Sequence, residues 1–508
     1  MSSSSKKGLG GVRYICCMQQ IVRSILDLYK HWKQKEAVSI DVLPPSGSER
    51  RYFRINDSDG SSTIGTYGAN QKENETFFYF TQEFRKKNLP VARILEISDD
   101  RLFYLQEDFG KSSLINYLEK EGLTNTVYSL FKKSLETLAR LQVTGDKDLD
   151  YDRCLTNKEF GKQAIMADLL YFKYYFLDAL RKPYDKQNLI DDFEALSNYL
   201  THTEFKYFLF RDFQSRNIMV MNSNDIKSYE LTVHFIDYQG GMKGAPQYDV
   251  ASMLWQARAN LPDDWKEKLL NDYMNAFENE IQSNLDRTIF KSQYNGYILI
   301  RLLQVLGAYG FRGLFERKAH FLTSIPLALT NLKWFINNQS LGIALPEFKK
   351  VLDICISDET IQQFTPIQAN ENSALVVKIN SFSYKNGIPE DSSANGGGFV
   401  FDCRGILNPG RFEEYKSLTG RDKSVKDFLE QQTRIQDFLN STFDVVDITV
   451  EEYIKRNFES LVISFGCTGG QHRSVYAADS LARHLRNKFK VKIELNHREQ
   501  NIFETKGM

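Results

Sequence analysis

The spacing of apolar residues predicts a long, mainly helical first part that begins with a few strands. An amphipathic helix is predicted over about 19–35 by the helical spacing of Ile21, Ile25, Leu28 and Trp32. Short apolar stretches are predicted to be strands at 50–55, 62–67 and 102–105. Longer helical patterns cover 114–200 and 250–338.

The pattern changes near residue 374, where strands return. Residues 357–373 are polar and weakly patterned, so we expect a linker there. Strands are predicted at 375–379, 398–404 and 461–465, and the two later ones are each followed by a helical stretch. This alternation favours a smaller α/β domain over 374–508 with a partly parallel sheet. Residues 388–398, which contain three glycines, are predicted to form a mobile loop.

Composition narrows the classes of partner and compartment. The 508 residues suffice for two to four domains, and the 65 basic and 65 acidic residues balance, so no general attraction to nucleic acid is expected, although a local RNA-binding patch stays open. No apolar run approaches the roughly 18 residues of a membrane helix. Six scattered cysteines without pairing or metal spacing fit a reduced cytosol, so we expect a cytoplasmic protein. Residues 1–17 lack a signal-peptide pattern and are expected to be a disordered leader.

One stretch carries the chemistry of phosphoryl transfer. Asp212 lies on a predicted loop, Asn217 follows five residues later, and Asp237 ends a predicted strand. Such an Asp can accept the proton of an attacking hydroxyl, while the Asn and the second Asp can hold Mg²⁺ beside nucleotide phosphates. Turn chemistry alone also explains an Asp and an Asn at this spacing, but the strand-borne Asp237 favours a phosphotransferase. Asp249, just before an apolar helix, is predicted to cap that helix.

The flanks of these residues resemble a known superfamily. The run Arg211-Asp212-Phe213-Gln214-Ser215-Arg216-Asn217, with Ile236-Asp237-Tyr238-Gln239 after it, is similar to aminoglycoside phosphotransferases and choline kinases, and most of all to the N-acetylmuramate/N-acetylglucosamine anomeric kinases. The usual His before Arg-Asp is Phe210 here. The resemblance implies ATP and Mg²⁺ as cofactors and an α+β protein-kinase-like two-lobed domain over 18–356, with a small lobe to about 110.

The resemblance also implies where the nucleotide lies. The turn Ser46-Gly47-Ser48 between two strands would cover the phosphates, and Glu107 and Asp108 would lie at the hinge between the lobes. The strand at 62–67 has no lysine for the phosphates, so Arg54, Arg51 and Lys72 stay open as substitutes, with Glu73 or Glu75 to orient the cation. Residues 301–313 would line the acceptor pocket by the same resemblance.

A second phosphate site is predicted near the start of the last long helix. Backbone amides at a helix start bind anions, glycines allow close approach, and Arg473 adds a bidentate cation. The predicted loop contains Cys467, Thr468, Gly469, Gly470, His472 and Arg473. Cys467 and Arg473 also have the spacing of cysteine phosphatases, although Gly466 replaces the usual His and no general acid is evident.

Residues 374–503 resemble the C-terminal domain of the RNase adapter protein RapZ. The resemblance rests on Ser381-Phe382-Ser383-Tyr384-Lys385-Asn386-Gly387, Phe401-Asp402-Cys403-Arg404, Leu418-Thr419-Gly420-Arg421-Asp422, residues 466–475 and Asn496-His497-Arg498-Glu499. It implies that the loop binds glucosamine 6-phosphate, with Lys385, Asp402, Arg404 and Arg421 as further pocket residues.

Both resemblances point to amino sugars. The leading hypothesis is an ATP-dependent kinase that phosphorylates the anomeric hydroxyl of N-acetylmuramate or N-acetylglucosamine in cell-wall sugar recycling, with a C-terminal domain that binds a phosphosugar effector. Three alternatives stay open: a choline or aminoglycoside kinase, a cysteine phosphatase at Cys467, and a non-catalytic RNA or protein adapter.

Overall fold

The computed structural model describes residues 9–43, 50–222, 231–316, 319–370, 373–391 and 397–507. These residues fall into two compact units. The larger unit comprises Gln19–Ala308 and Leu327–Ser357, and the smaller unit comprises Met1–Met18, Tyr309–Pro326 and Asp358–Met508.

The larger unit begins with a five-stranded sheet and two helices. In chain order these elements are α1 (Leu9–Lys33), β1 (Ser39–Val42), β2 (Arg51–Asn56), β3 (Ser62–Tyr67), α2 (Gln71–Lys86), β4 (Ile94–Ile97) and β5 (Phe103–Glu107). The part of α1 up to Met18 belongs to the smaller unit. The strand order is β1-β2-β3-β5-β4, and all neighbours are antiparallel. A Cβ on Gly65 of β3 would lie 2.5 Å from Cγ2 of Ile25, so glycine at this position lets α1 pack closely on the sheet.

Helix α1 begins ten residues earlier than the sequence analysis predicted. Its first residue is Leu9, so residues 9–17 of the expected disordered leader are helical. Val12, Ile15 and Met18 continue the helical spacing of the later apolar residues, which explains the longer helix.

A helical part with two short hairpins completes the larger unit. Its helices include α3 (Leu114–Glu121), α4 (Asn125–Asp146), α5 (Lys162–Phe172) and α6 (Lys186–Thr201). Four short strands follow, namely β6 (Tyr207–Leu209), β7 (Ile218–Asn222), β8 (Leu231–Phe235) and β9 (Met242–Gly244). The later helices are α7 (Gln247–Leu254), α8 (Asp263–Ile281), α9 (Arg287–Tyr309), α10 (Ala319–Leu322), α11 (Ile325–Asn338) and α12 (Pro346–Cys355), although α10 lies in the smaller unit. β6 pairs with β9 and β7 with β8, both antiparallel.

The smaller unit is built on a second five-stranded sheet. Its further elements are α13 (Asp358–Phe364), β10 (Val376–Ser383), β11 (Phe399–Asp402), α14 (Lys423–Gln432), α15 (Ile435–Lys455), β12 (Ser460–Cys467), α16 (Arg473–Phe489), β13 (Lys492–His497) and β14 (Ile502–Lys506). The strand order is β11-β12-β10-β13-β14, parallel except for the antiparallel edge strand β14. The predicted α/β domain with a partly parallel sheet is confirmed.

Apolar residues of the sheet and helices form one core in this unit. Val377, Ile379 and Ile463 are fully buried, as are Leu481 and Leu485 of α16. The expected linker is partly ordered, since α13 lies within 357–373. Of the predicted mobile loop, residues 392–396 lie outside the described residues.

One helical stretch among the described residues, Arg287–Phe315, is long and apolar enough to cross a membrane by length and composition. The sequence analysis expected no such stretch. Buried core helices share this length and composition, and 56% of the most apolar 18 residues of this stretch is buried.

Candidate functional site

A cavity in the larger unit collects residues that are far apart in sequence. Strands β2, β3 and β5 form one side, and the loops around β7 and β8 form the other. The predicted residues that line it are Arg54, Glu107, Asp108, Asn217 and Asp237. Arg50, Tyr52 and Gln239 also line it and were not predicted as site residues. The predicted turn Ser46-Gly47-Ser48 lies outside the described residues.

The buried carboxylate of Asp249 holds the loop that carries Asp212 through hydrogen bonds to the backbone of that loop. The carboxylate of Asp249 accepts hydrogen bonds from the backbone N–H groups of Phe210 (2.7 Å) and Arg211 (2.9 Å), and from Nε2 of Gln142 (3.0 Å). Asp249 is the third residue of α7 and is fully buried, so the predicted helix-capping role is wrong. The sequence could not show this role, because the carboxylate binds a backbone almost forty residues away in the chain. Burial raises the pKa of Asp249 to about 7, against the opposing effect of these hydrogen bonds.

Arg211 adopts a left-handed backbone conformation, with φ of 80°. Its guanidinium donates to the carboxylate of Asp168 (3.0 and 3.1 Å) and to the hydroxyl of Tyr248 (2.7 Å). These contacts hold a conformation that non-glycine residues rarely adopt, and such conformations concentrate at functional sites. The side chain of Asp212 is half exposed, and its Oδ1 lies 3.6 Å from Nη2 of the buried Arg301. The carboxylate of Asp212 is therefore accessible to the hydroxyl group of an acceptor that enters from solvent.

Asn217 and Asp237 both line the cavity, and their side chains are neighbours. Nδ2 of Asn217 donates to the backbone carbonyl of Asp212 (2.9 Å) and lies 3.4 Å from Oδ2 of Asp237. Asp237 follows β8 with φ of 71°, and its Oδ1 accepts from Nε2 of Gln239 (2.8 Å). The structure therefore brings together the three residues predicted for proton transfer and metal binding.

The oxygen donors at this place fit Mg²⁺. Protein sites for Mg²⁺ use one or two carboxylates and leave other positions to water and substrate phosphates. Asp237 and the amide oxygen of Asn217 supply that kind of donor set. Among the described residues, no group of three or more His, Cys, Asp or Glu side chains could hold a metal by protein ligands alone.

Glu107 and Asp108, which are predicted to lie at the hinge, are paired with cations. Asp108 accepts from Nη2 of Arg54 (3.0 Å) and from the hydroxyl of Ser62 (2.7 Å), and Glu107 pairs with Arg93 (2.9 Å). Burial would raise the pKa of Asp108, but these hydrogen bonds outweigh it and the pKa is lowered. The charge of Arg54 is therefore neutralised by Asp108 in the wall of the cavity.

The predicted phosphate loop of the smaller unit connects β12 to α16. Thr468 and Gly469 are exposed, whereas Cys467, Gly470, His472 and Arg473 are buried. Gly470 has φ of 63°, and its N–H donates to Sγ of Cys467 (3.2 Å). Nε2 of His472 lies 2.8 Å from the carbonyl oxygen of Tyr415.

The guanidinium of Arg473 donates hydrogen bonds to other groups of the protein. Its Nη1 donates to the carbonyl oxygens of Arg404 (3.2 Å) and Ile406 (2.8 Å), and its Nη2 lies 3.4 Å from Oγ1 of Thr468. The guanidinium thus fastens the loop after β11 to the start of α16. This arrangement differs from the free bidentate cation that the sequence analysis expected.

The other predicted pocket residues of the smaller unit lie near the carboxyl ends of its parallel strands. Asp402 and Arg404 form an ion pair (2.7 Å), and the guanidinium of Arg404 lies 4.0 Å from the ring centre of Tyr384. Lys385 is exposed in the turn after β10. Arg421 pairs with Asp479 (3.0 Å) and contacts Nε2 of His497 (2.9 Å). Ligands of α/β sheets commonly bind at this end of the strands.

Two family models match the chain. Residues 42–284 match the phosphotransferase enzyme family, and residues 375–501 match the RapZ C-terminal domain. The chain therefore carries a kinase-like α+β domain followed by a RapZ-like domain, which confirms the predicted fold class. The first match supports a small-molecule kinase.

Curated relatives and solved structures extend these matches. A nucleotide-binding protein of Endomicrobium trichonymphae is 37% identical over 161 residues, which are 31% of this chain and 50% of the relative. One of Alkaliphilus oremlandii is 36% identical over 136 residues, 27% of this chain and 45% of the relative. The chain thus spans about half the length of the curated relatives it matches.

Among solved structures, an ethanolamine kinase of Plasmodium vivax has a TM-score of 0.42 at 12% identity, covering 58% of this chain and 82% of that one. A choline/ethanolamine kinase family protein of Mesorhizobium loti has a TM-score of 0.43 at 11% identity, covering 67% and 99%.

Proposed function

We propose that this chain is a cytoplasmic ATP-dependent kinase that phosphorylates a hydroxyl of an amino sugar. The proposed acceptor is N-acetylmuramate or N-acetylglucosamine at its anomeric hydroxyl, in the recycling of cell-wall sugars. The kinase activity is supported by one observation: Asn217 and Asp237 line the same cavity, and Nδ2 of Asn217 donates a hydrogen bond to the backbone carbonyl of Asp212 beside it.

Each of these residues has a role that its surroundings support. Asp212 is half exposed on a loop fixed by Asp249, so it can orient the acceptor hydroxyl and take its proton. Asn217 ties the backbone of this loop to the carboxylate of Asp237, which keeps the proton acceptor and the proposed metal ligands in register. When bound, Mg²⁺ would neutralise charge on the transferred phosphoryl group.

The choice of an amino sugar rests on the two resemblances, since choline and aminoglycoside kinases share the same catalytic residues. The smaller unit is proposed to bind a phosphosugar effector, glucosamine 6-phosphate, and to regulate the kinase. Its exposed Thr468 and Gly469, in the loop that leads from β12 to the start of α16, support anion binding.

The position of Arg473 favours this binding role over a cysteine phosphatase. A phosphatase of that class needs the arginine to hold the phosphoryl group at the cysteine. Here the Arg473 guanidinium is occupied by backbone carbonyl oxygens of the loop after β11. We therefore do not propose a cysteine phosphatase activity at Cys467.

The test measures ADP release by the full chain with Mg²⁺ and ATP against N-acetylmuramate, N-acetylglucosamine, choline and kanamycin, each with and without glucosamine 6-phosphate. We expect turnover on an N-acetyl amino sugar and a change in that turnover when the phosphosugar is present. Turnover on choline or kanamycin alone would show that the proposed acceptor is wrong and that a compound of that other class is the substrate. Absence of turnover on all four would overturn the proposed acceptors.

The substitution D212N tests the proton acceptor directly. We expect turnover to fall by about three orders of magnitude or more, because the amide cannot accept the proton, while ATP binding stays within about twofold. ADP release and equilibrium binding of ATP would be measured on the same preparation. A variant that keeps turnover would exclude Asp212 as the base.

A further inference from the structure

The larger unit needs a cation beside the nucleotide phosphates, and β3 carries no lysine. Kinases of this fold place a lysine on that strand and hold it with a glutamate from the following helix. The residues that line the cavity include two arginines, Arg50 and Arg54. The inference rests on the proposed function, because it assumes a nucleotide in this cavity.

Two of the candidate cations lie away from the cavity. Lys72 is exposed in the first turn of α2, and Arg51 is half-buried on β2. Neither belongs to the lining of the cavity. Their charges would therefore act on a bound nucleotide only from a distance and through solvent, where screening weakens them.

Arg54 lines the cavity but is held at the hinge. Its guanidinium donates to Asp108 (3.0 Å) and to the carbonyl oxygen of Gly110 (2.7 Å). Moving it to the phosphates would leave the largely buried Asp108 without its cation, which is costly. Arg54 is thus a hinge residue.

Arg50 is the remaining arginine among the residues that line the cavity. It directly precedes β2, its side chain is only 3% exposed, and it lines the same cavity as Asn217 and Asp237. Its Nε lies 3.3 Å from Oε1 of Glu73, and its Nη2 donates to the backbone carbonyl of Glu73 (3.1 Å). Glu73 belongs to the first turn of α2, so the arginine is tied to the helix that follows β3.

Gln239 connects this ion pair to the proposed metal site. Its Nε2 lies 3.4 Å from Oε1 of Glu73 and donates to Oδ1 of Asp237 (2.8 Å). Its own Oε1 is buried without a hydrogen-bond partner among the described residues, so it can still accept a hydrogen bond from a ligand or a water. Arg50, Glu73, Gln239 and Asp237 therefore form one polar series along the cavity.

We propose that Arg50 is the cation that binds the phosphate groups of the nucleotide, and that Glu73 positions it. A guanidinium suits this task, because it presents paired N–H donors to phosphate oxygens and stays charged when buried. Glu73 would hold the guanidinium, and Asp237, which Gln239 connects to Glu73, would hold the metal and supply charge neutralisation beside it.

The test compares two ligands that share the adenosine moiety, of which only one carries phosphates and their Mg²⁺. Wild type, R50M, R50K and K72M of the full chain are titrated calorimetrically with Mg²⁺·ATP and with adenosine. R50M is expected to bind Mg²⁺·ATP about 10- to 100-fold more weakly and adenosine within about twofold of wild type. R50K should lose about 3- to 10-fold for Mg²⁺·ATP, since it keeps the charge but not the paired donors. K72M, the matched removal of an exposed cation, should bind both ligands as wild type does.

Binding of Mg²⁺·ATP by R50M at wild-type affinity would overturn the proposal. An equal loss for adenosine and ATP would also overturn it, because that result indicates a structural role. If R50M does not fold, R50K is judged by the same two criteria. Wild-type binding of ATP without turnover on any acceptor would refute the kinase function and leave the role of Arg50 intact.

Discussion

Asp249 is a buried acid whose protonation is predicted to change the stability of the larger unit with pH. Its pKa is raised to about 7 by burial, so between about pH 4 and pH 7 the folded protein holds a proton that the unfolded chain has released. Stability contributed by this group is therefore full near pH 4 and is lost as pH rises to about 7. The slope is at most about 1.4 kcal/mol per pH unit.

The substitution D249N removes this titration. Denaturant unfolding of wild type and D249N at pH 5 and pH 8 should show a larger stability difference at pH 5. The variant should be less stable at both values, because an amide oxygen cannot replace both carboxylate oxygens that accept from Phe210 and Arg211. A stability difference that does not vary with pH would contradict the assignment.

At the same scale, the sequence reveals residues whose role is set by local spacing and misses those set by tertiary contacts. Asp212, Asn217 and Asp237 were selected from loop and strand positions, and the fold brings them together. Arg50 has no distinctive pattern in the sequence, since it is an arginine that only precedes a strand. The sequence does offer Glu73 or Glu75 to orient a cation, but only the fold pairs Glu73 with Arg50 and places Gln239 beside it. A buried partner can be recognised only after the packing is known.

At the scale of elements, the conformation of the predicted phosphate loop between β12 and α16 depends on one glycine. Gly470 has φ of 63°, and a Cβ there would lie 2.3 Å from Cγ of Glu499 and 2.9 Å from the backbone N of Ser383. We expect G470A to lower the stability of the smaller unit by about 1–3 kcal/mol, because backbone atoms cannot move aside cheaply.

The neighbouring glycine provides a matched control. A Cβ on Gly469 would meet no heavy atom within 4 Å, so G469A should leave the unfolding temperature of that unit almost unchanged. Thermal unfolding of both variants beside wild type measures the difference. Equal effects of the two substitutions would show that the backbone at Gly470 is not constrained.

Element positions were predicted best where the apolar spacing is regular. β2, β3 and β5 lie close to their predicted positions, and β10, β11 and β12 of the smaller unit do as well, whereas β13 and β14 were not predicted. α1 begins earlier than predicted because apolar residues continue its helical spacing, and α13 forms within a stretch predicted to be a linker because of its polar sequence. Boundaries of this kind depend on packing as well as on sequence.

At the scale of the whole molecule, each unit has its own core, so unfolding is predicted to occur in two transitions. Mg²⁺·ATP should raise the transition of the larger unit and glucosamine 6-phosphate that of the smaller one. At a hundredfold excess over the dissociation constant, each ligand adds about 2.7 kcal/mol. Differential scanning calorimetry of the full chain would show which transition each ligand moves. A single transition that both ligands raise equally would contradict independent cores.

The strand order of the smaller unit has a consequence for synthesis. β10, its central strand, pairs with β12 and β13, which follow it by more than 80 and 110 residues. The sheet β1-β2-β3-β5-β4 needs only residues 39–107 and can close while the ribosome is still translating the rest. β10 instead emerges from the ribosome with both edges unpaired, because its partner strands are translated later. Unpaired strand edges can pair with other chains. Nascent molecules stalled before β13 should therefore be the ones that chaperones retain, with the first sheet already folded.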